Sequence, residues 1–473
     1  MECYYKEILL PSKSISKSVL WQLSGKFALQ GIAFFTTPIF TRLLTSADYG
    51  YAALYASWLS ILCLIVGLQV GGSTGNARLE YGEDKLPEYL SSIMTVSLFS
   101  FIIILLIAII FHNWLSNILG IAPHLVVLVV IQSFCAFVIN FEVGRLDQLK
   151  KVEKSTLLSL LQSVFVITLS LFFVINTKNN KAIAKIYGQA IPVILLGSVI
   201  FILVYIRGKS FWNTKYIKFC LSLTLPLIVH GIGHLIFSQS DRIMLQKMHG
   251  EDVLGIYSVT FNLCAVLTII YGATNVSWIP FYFDFKKQNK KEEILAHSRR
   301  YLKFYTLISI GFILLSYDVY KIMAPSEYYD GMKIIPLFVL SNFFSFIYLF
   351  PVNYEFYEKK TKLIPVATFT AALINIAINW LLIPNYGLLG AAIGTLVAHF
   401  LLYVFHEIMA CIIGKEEYEY RRIMMFVFPT FVLTIISVFF FFAQPVIFWL
   451  RWLMAILIGI WILKDLLKYR SIF

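Results

Sequence analysis

A lysine shares one face of the first apolar run with a row of amides and hydroxyls. Gln22, Lys26, Gln30, Thr37 and Thr41 fall at steps of four, four, seven and four, so a helix lines them up in a single stripe. A charged lysine at the bilayer centre costs about 2.5–3.5 kcal/mol, a cost that suits a cation facing a wet cavity and an anionic substrate. The plainer use of Lys26 is snorkelling, since it sits about two turns in from the start of the run. A second stripe is formed by Ser222, Pro226, His230, His234, Ser238 and Asp241. Here Pro226 frees a backbone carbonyl and bends the helix. The two histidines can share a proton, bind a cation or hydrogen-bond sugar hydroxyls, or each can simply bond a neighbouring carbonyl. Their spacing of four matches a metal pair, yet no third ligand stands nearby, which argues against metal catalysis.

Charges cluster where these stripes end. Arg42 and Asp48 near the end of the first stripe, and Asp241 and Arg242 at the end of the second, could form charge pairs with one another, cluster to cluster, that close the outer gate; capping and interface anchoring are the alternative. Thr368, Asn375 and Asn379 share another helical face, as do Thr268, Tyr271, Asn275 and Trp278. Amides and aromatics suit sugar recognition, but they also serve as interhelical bonds of about 0.6 kcal/mol each.

The elements that carry these residues are set by hydropathy. Of 473 residues, 59% are hydrophobic and 14% charged, against about 25% charged in soluble domains. The chain is expected to be an all-α integral membrane protein. Fourteen runs are long enough to cross a core of ~30 Å: 18–42, 49–72, 88–112, 118–142, 155–175, 181–206, 216–239, 252–283, 299–323, 331–354, 361–384, 386–413, 421–443 and 446–468. Lys and Arg concentrate in alternate loops, among them Lys150, Lys151 and Lys154, then Lys286, Lys287, Lys290 and Lys291, then Lys359, Lys360 and Lys362. That bias places both termini in the cytoplasm and explains the net charge of +13 as a topology signal rather than a nucleic-acid footprint. Six scattered cysteines lack any metal or redox spacing and read as small apolar residues.

The chain repeats itself. Thr41-Arg42 through Asp48-Tyr49-Gly50 is rewritten as Asp241-Arg242 through Gly255-Ile256-Tyr257, and the joint at residues 174–188 is echoed at residues 382–392, with offsets of about 205 residues in both cases. This divides the chain into a polar tail (1–17), an N-lobe of six spans (18–206), a linker (207–215), a C-lobe of six spans (216–413) and a final segment (414–473) with two extra spans and a cytoplasmic tail.

Several motifs then look familiar: Pro38-x-x-Thr41-Arg42-x-Leu44-x-x-x-Asp48-Tyr49-Gly50; Ser240-Asp241-Arg242-x-x-Leu245 followed by Gly255-x-Tyr257; Trp278-x-Pro280; and Asn375-x-x-x-Asn379-x-x-Leu382-Ile383-Pro384-x-x-Gly387-x-x-Gly390-Ala391-Ala392-x-x-Thr395. The chain resembles the bacterial polysaccharide flippases of the Wzx type, in the MOP (MATE-like) exporter superfamily, over about residues 15–415. The resemblance implies a V-shaped pair of six-helix lobes in the bacterial cytoplasmic membrane. It implies export of an undecaprenyl-diphosphate-linked oligosaccharide to the outer leaflet for capsule, O-antigen or exopolysaccharide synthesis, alongside polymerase and chain-length proteins. Cations for the diphosphate would come from Lys26, Arg78 and Arg145, and the lipid tail would stay in the bilayer. No cofactor is implied. The central spans show hardly any carboxylate, so coupling to a proton or sodium gradient through His230 or His234, or to membrane potential directly, stays open. A lipid II or teichoic-type precursor is the alternative cargo. A polymerase or glycosyltransferase is disfavoured by short outer loops and by the lack of a nucleophile triad, a phosphate-binding glycine loop or a metal cluster.

Overall fold

The computed structural model describes residues 13–414, 420–437 and 448–469. Among them there are helices and no strands, as bilayer-spanning backbone demands when each N–H and C=O must bond within its own segment. In order these are α1 (Lys13–Leu43), α2 (Ser46–Gly67), α3 (Thr74–Ile110), α4 (His112–Leu119), α5 (Pro123–Gln148), α6 (Val152–Asn176), α7 (Lys181–Gly208) and α8 (Thr214–His249). They continue with α9 (Glu251–Lys287), α10 (Lys291–Met323), α11 (Ile335–Ile347), α12 (Leu349–Tyr357), α13 (Ile364–Tyr386), α14 (Leu388–Ile413), α15 (Tyr420–Ile436) and α16 (Phe448–Tyr469).

Eleven stretches among the described residues are long and apolar enough to cross a membrane. The chain is a multi-pass membrane protein. The other three expected spans coincide with α1, α15 and α16, of which α15 carries a shorter apolar segment, Val427–Ile436; fourteen therefore remains an expectation. Local chemistry explains the ends. Pro opens α5, α11 and α13, where its missing N–H is not needed. Gly82 (φ 79°) breaks α3 into two pieces, a conformation that suits glycine. The joint at residues 382–392 is a single-residue corner: α13 runs through Pro384 to Tyr386, and Gly387 alone makes the turn into α14.

The chain forms two compact units. Unit 1 contains residues up to Thr36 with Tyr51–Leu235; unit 2 contains Thr37–Gly50 with residues from Ile236 on. Both α1 and α8, the helices that end in the repeated motif, are thus divided between units.

In unit 1, α5 is largely buried while α6 shows most of its surface to the bilayer. The core joins Val66, Tyr89, Ile93 and Met94 to Phe134, Phe137, Val138 and Phe141 of α5, with Val193 and Ile200 of α7. In unit 2, α11 takes the central place, with Phe338, Val339, Phe343 and Ile347 all buried. The repeated joints pack alike: a Cβ on Gly188 would meet the Ser170 backbone of α6, and one on Gly390 the Leu382 backbone of α13.

Candidate functional site

The sequence-derived polar residues divide between the units. In unit 1, Gln22 and Lys26 lie in α1, but their side chains are outside the described residues; Gln30 is half-buried. Arg78 pairs with Glu83 at 3.1 Å and donates to the Gln148 carbonyl. Arg145 grips Glu142 with two bonds of 2.7 and 2.6 Å, and Arg207 reaches the same carboxylate at 3.1 Å. A bidentate guanidinium–carboxylate pair fixes both partners' orientation. A cavity of about 340 Å³ opens here, lined by Glu83, Asp84, Glu142, Arg145, Lys151 and Arg207. Three acids balance three bases, so this is a neutral polar pocket rather than a cationic one. In α8, His234 is exposed and His230 half-buried with its Nδ1 lacking a hydrogen-bond partner.

Unit 2 gathers a denser site. Asp241 is buried, and its Oδ2 accepts the Tyr257 hydroxyl at 2.7 Å and the Thr395 hydroxyl at 2.6 Å. Its Oδ1 accepts from Asn379 Nδ2 at 2.9 Å, and that amide also reaches Asn375 Oδ1 at 3.1 Å. Ser240 donates to Asn375 at 2.9 Å. Three donors hold the carboxylate in place, and charge-assisted bonds of this kind are among the strongest available. Among the described residues no three His, Cys, Asp or Glu cluster as a transition-metal site.

The charged residues expected to gate are arranged otherwise. Arg42 donates to the carbonyls of Pro38 and Ile322, both at 2.8 Å. Asp48 accepts the Thr45 hydroxyl at 2.9 Å while Thr45 Oγ1 lies 3.1 Å from the Asp48 N–H, which is the reciprocal cap of a helix start. Arg242 stacks over the Phe261 ring at 4.8 Å, and its Nη1 lies 3.3 Å from Gln239 Oε1. Asp241 is committed to its own network. What joins the two copies of the repeated motif is backbone. Gly50 and Gly255 lie at the crossing, where a Cβ on Gly50 would run into the Glu251 carbonyl and one on Gly255 into the Ser46 carbonyl, and Ser46 donates to Asp252 at 2.7 Å. The segment 37–50 is further tied to unit 2 by the Thr41–Met323 bond at 2.7 Å and the Tyr328–Leu44 bond at 3.2 Å.

Of the remaining amides, Asn275 accepts from Asn353 at 2.7 Å, an interhelical bond. Asn375 and Asn379 are fully buried within the Asp241 network. Sequence reasoning singled out Asp241 and Asn375 but left Tyr257 and Thr395 as motif letters. It also missed the buried carboxylates Glu142, Glu355 and Glu407, which sit near helix ends where apolar-run boundaries hide them. Glu355 pairs with His406 at 2.8 Å, both completely buried.

Residues 15–286, more than half of the chain, match the family described as polysaccharide biosynthesis protein. The chain belongs to that family. Among its relatives is the Lsg locus putative protein 1 of Haemophilus influenzae, 25% identical over 77% of this chain and 90% of that protein. Another is the probable low-salt glycan biosynthesis flippase Agl15 of Haloferax volcanii, 19% identical over 83% of both chains. The fold matches a solved structure of the lipid II flippase MurJ in an inward closed conformation, with TM-score 0.72 and 17% identity over 96% of this chain and 99% of that one. It also matches an inward-facing multidrug resistance MATE transporter of the MOP superfamily, with TM-score 0.63 and 14% identity over 84% and 94%. This member of the polysaccharide biosynthesis family has the MurJ/MATE-like fold.

Proposed function

We propose that this chain is a flippase that moves an undecaprenyl-diphosphate-linked oligosaccharide from the inner to the outer leaflet of a bacterial cytoplasmic membrane, by alternating access, for surface polysaccharide synthesis. The observation that carries the reading is a polysaccharide biosynthesis family match laid on a MurJ/MATE-like fold. A relative named as a glycan biosynthesis flippase supports it. Moving a lipid-linked sugar needs binding and a change of access, with no bond made or broken, so the reading makes the chain a transporter rather than an enzyme. Both termini would lie in the cytoplasm, as the lysine distribution favours.

Within that reading the roles of the polar residues can be ranked. Arg78 and Arg145 already face Glu83 and Glu142, and their pocket is charge-balanced. Lys26, flanked by Gln22 and Gln30, is left as the principal cation for the diphosphate, with His230, His234 and Asn275 as candidate sugar contacts. A charged hydrogen bond contributes about 1.5–3 kcal/mol, or roughly ten- to hundredfold in binding. Lys26→Ala should therefore cut export of repeat units by at least roughly tenfold at unchanged expression, and Lys26→Arg should retain part of it.

The test is the fate of undecaprenyl-linked oligosaccharide in cells lacking the gene, compared with cells complemented by wild type or Lys26→Ala. Accumulation in the inner leaflet with loss of surface polymer supports the flippase. Normal delivery to the outer leaflet with failed polymerisation overturns it, and a block in lipid II instead would transfer the reading to that cargo.

A further inference from the structure

Glu355 in α12 and His406 in α14 face one another inside unit 2, with His406 Nδ1 2.8 Å from Glu355 Oε1 and side-chain exposures of 1% and 0%. Their outer atoms, Glu355 Oε2 and His406 Nε2, are buried without a hydrogen-bond partner. A buried ion pair is stable when its remaining lone pairs and protons are also satisfied. Here two polar atoms on opposite sides of the same pair are left orphaned, which is costly and calls for an explanation.

Counting protons supplies one. With the bond between Oε1 and Nδ1 intact, glutamate beside neutral imidazole carries one negative charge. One further proton, taken from water and placed on Nε2 or on the carboxylate, brings the pair to zero net charge. A buried site accommodates a pair without net charge at lower cost than a lone charge, and contact with water removes that difference. We propose that Glu355 and His406 form a one-proton binding site that loads when α12 and α14 are packed and unloads when they part. On the flippase reading above, this is where a proton gradient would be coupled to transport.

The surroundings fit this use. Glu355 lies near the end of α12, just before Lys359, Lys360 and Lys362. His406 lies within about 10 Å of the end of α14, at 1.5 Å rise per residue. The site is thus a short distance from the lysine-rich residues that follow α12, at Lys359, Lys360 and Lys362. Tyr348, between α11 and α12, places its ring 5.1 Å from the imidazole. On α12 itself Tyr354 stands next to Glu355, with Lys286 of α9 over its ring at 4.7 Å. On α14, Tyr403 and Glu407 flank His406, and Glu407 lines a separate apolar pocket with Val404 and Ile408. α13 offers Ala367 and Ala371 on this side and carries no ionisable side chain before Tyr386.

The experiment is an unbuffered acid–base titration of the purified protein in detergent between about pH 5 and 8, the imidazole range. Glu355→Gln, and the double variant with His406→Gln, should each bind about one proton fewer than wild type, because the pair titrates as a unit. Superimposable curves overturn the proposal. If either variant fails to fold, the wild type labelled in histidine and glutamate decides by NMR: the His406 ring and Glu355 carboxyl signals should move with one shared midpoint. Signals that stay fixed, or midpoints that differ, overturn it. These readouts need no cargo, so a wild type that flips nothing would count against the flippase reading and leave the proton site standing.

Discussion

Asp241→Ala is expected to destabilise unit 2 by about 1–3 kcal/mol, the cost of stranding one buried donor. The change takes the acceptor from the Tyr257 hydroxyl, while Thr395 can still donate to the Ala391 carbonyl and Asn379 to Asn375 Oδ1. Interhelical bonds in membranes average only about 0.6 kcal/mol, so the loss of a bond by itself is the smaller effect and the stranded Tyr257 hydroxyl decides the outcome. Asp241→Asn makes the contrast. Its carbonyl can keep the Asn379 amide, and its NH2 can donate to the two hydroxyls once they rotate to accept. That variant should stay within about 1 kcal/mol of wild type, the range of an ordinary bond exchange. Thermal melting of the purified proteins separates the two; an alanine variant as stable as the asparagine one would refute this account of the network.

The second large effect is expected at Gly50 and Gly255. A Cβ on Gly50 would overlap the Glu251 carbonyl oxygen and stand 2.8 Å from the Gly255 nitrogen, and one on Gly255 would overlap the Ser46 carbonyl oxygen. The obstacles are backbone atoms, which no rotamer change can move. Replacing glycine by alanine in a helix normally gains up to ~1 kcal/mol, whereas overpacking costs about 1–3 kcal/mol, so the clash should win. Gly50→Ala and Gly255→Ala should both lower the melting temperature and reduce export. Gly272→Ala is the matched control on α9, since nothing lies within 4 Å of its added Cβ. It should be neutral or stabilising. Equal behaviour of all three would remove the tight helix crossing from the account.

The all-helical membrane fold was legible because hydropathy is a property of long segments, and errors at single residues average out. The offset of about 205 residues matched Gly50 with Gly255, and those two glycines meet at one helix crossing. Charge drew attention instead to Arg42, Asp48, Asp241 and Arg242, and chemistry alone could not say that two glycines, rather than those charges, touch. Asp241 and Asn375 were recognisable as polar residues on helical faces, but their partners Tyr257 and Thr395 lie on other helices, and one sequence does not reveal which faces meet. Glu355 and His406 went unnoticed for the same reason. They stand 51 residues apart, near the ends of their helices, where a carboxylate looks like ordinary loop chemistry.

The central claim is translocation of a lipid-linked oligosaccharide, and proteoliposomes test it most directly. Purified protein is reconstituted into vesicles carrying a labelled undecaprenyl-diphosphate oligosaccharide on both leaflets, and an impermeant sugar-modifying reagent is added outside. Wild-type vesicles should expose the inner-leaflet pool, so that modification continues beyond the share seen in protein-free vesicles, with Lys26→Ala slower. Modification that halts at the protein-free level, in vesicles shown to contain folded protein, would contradict the account.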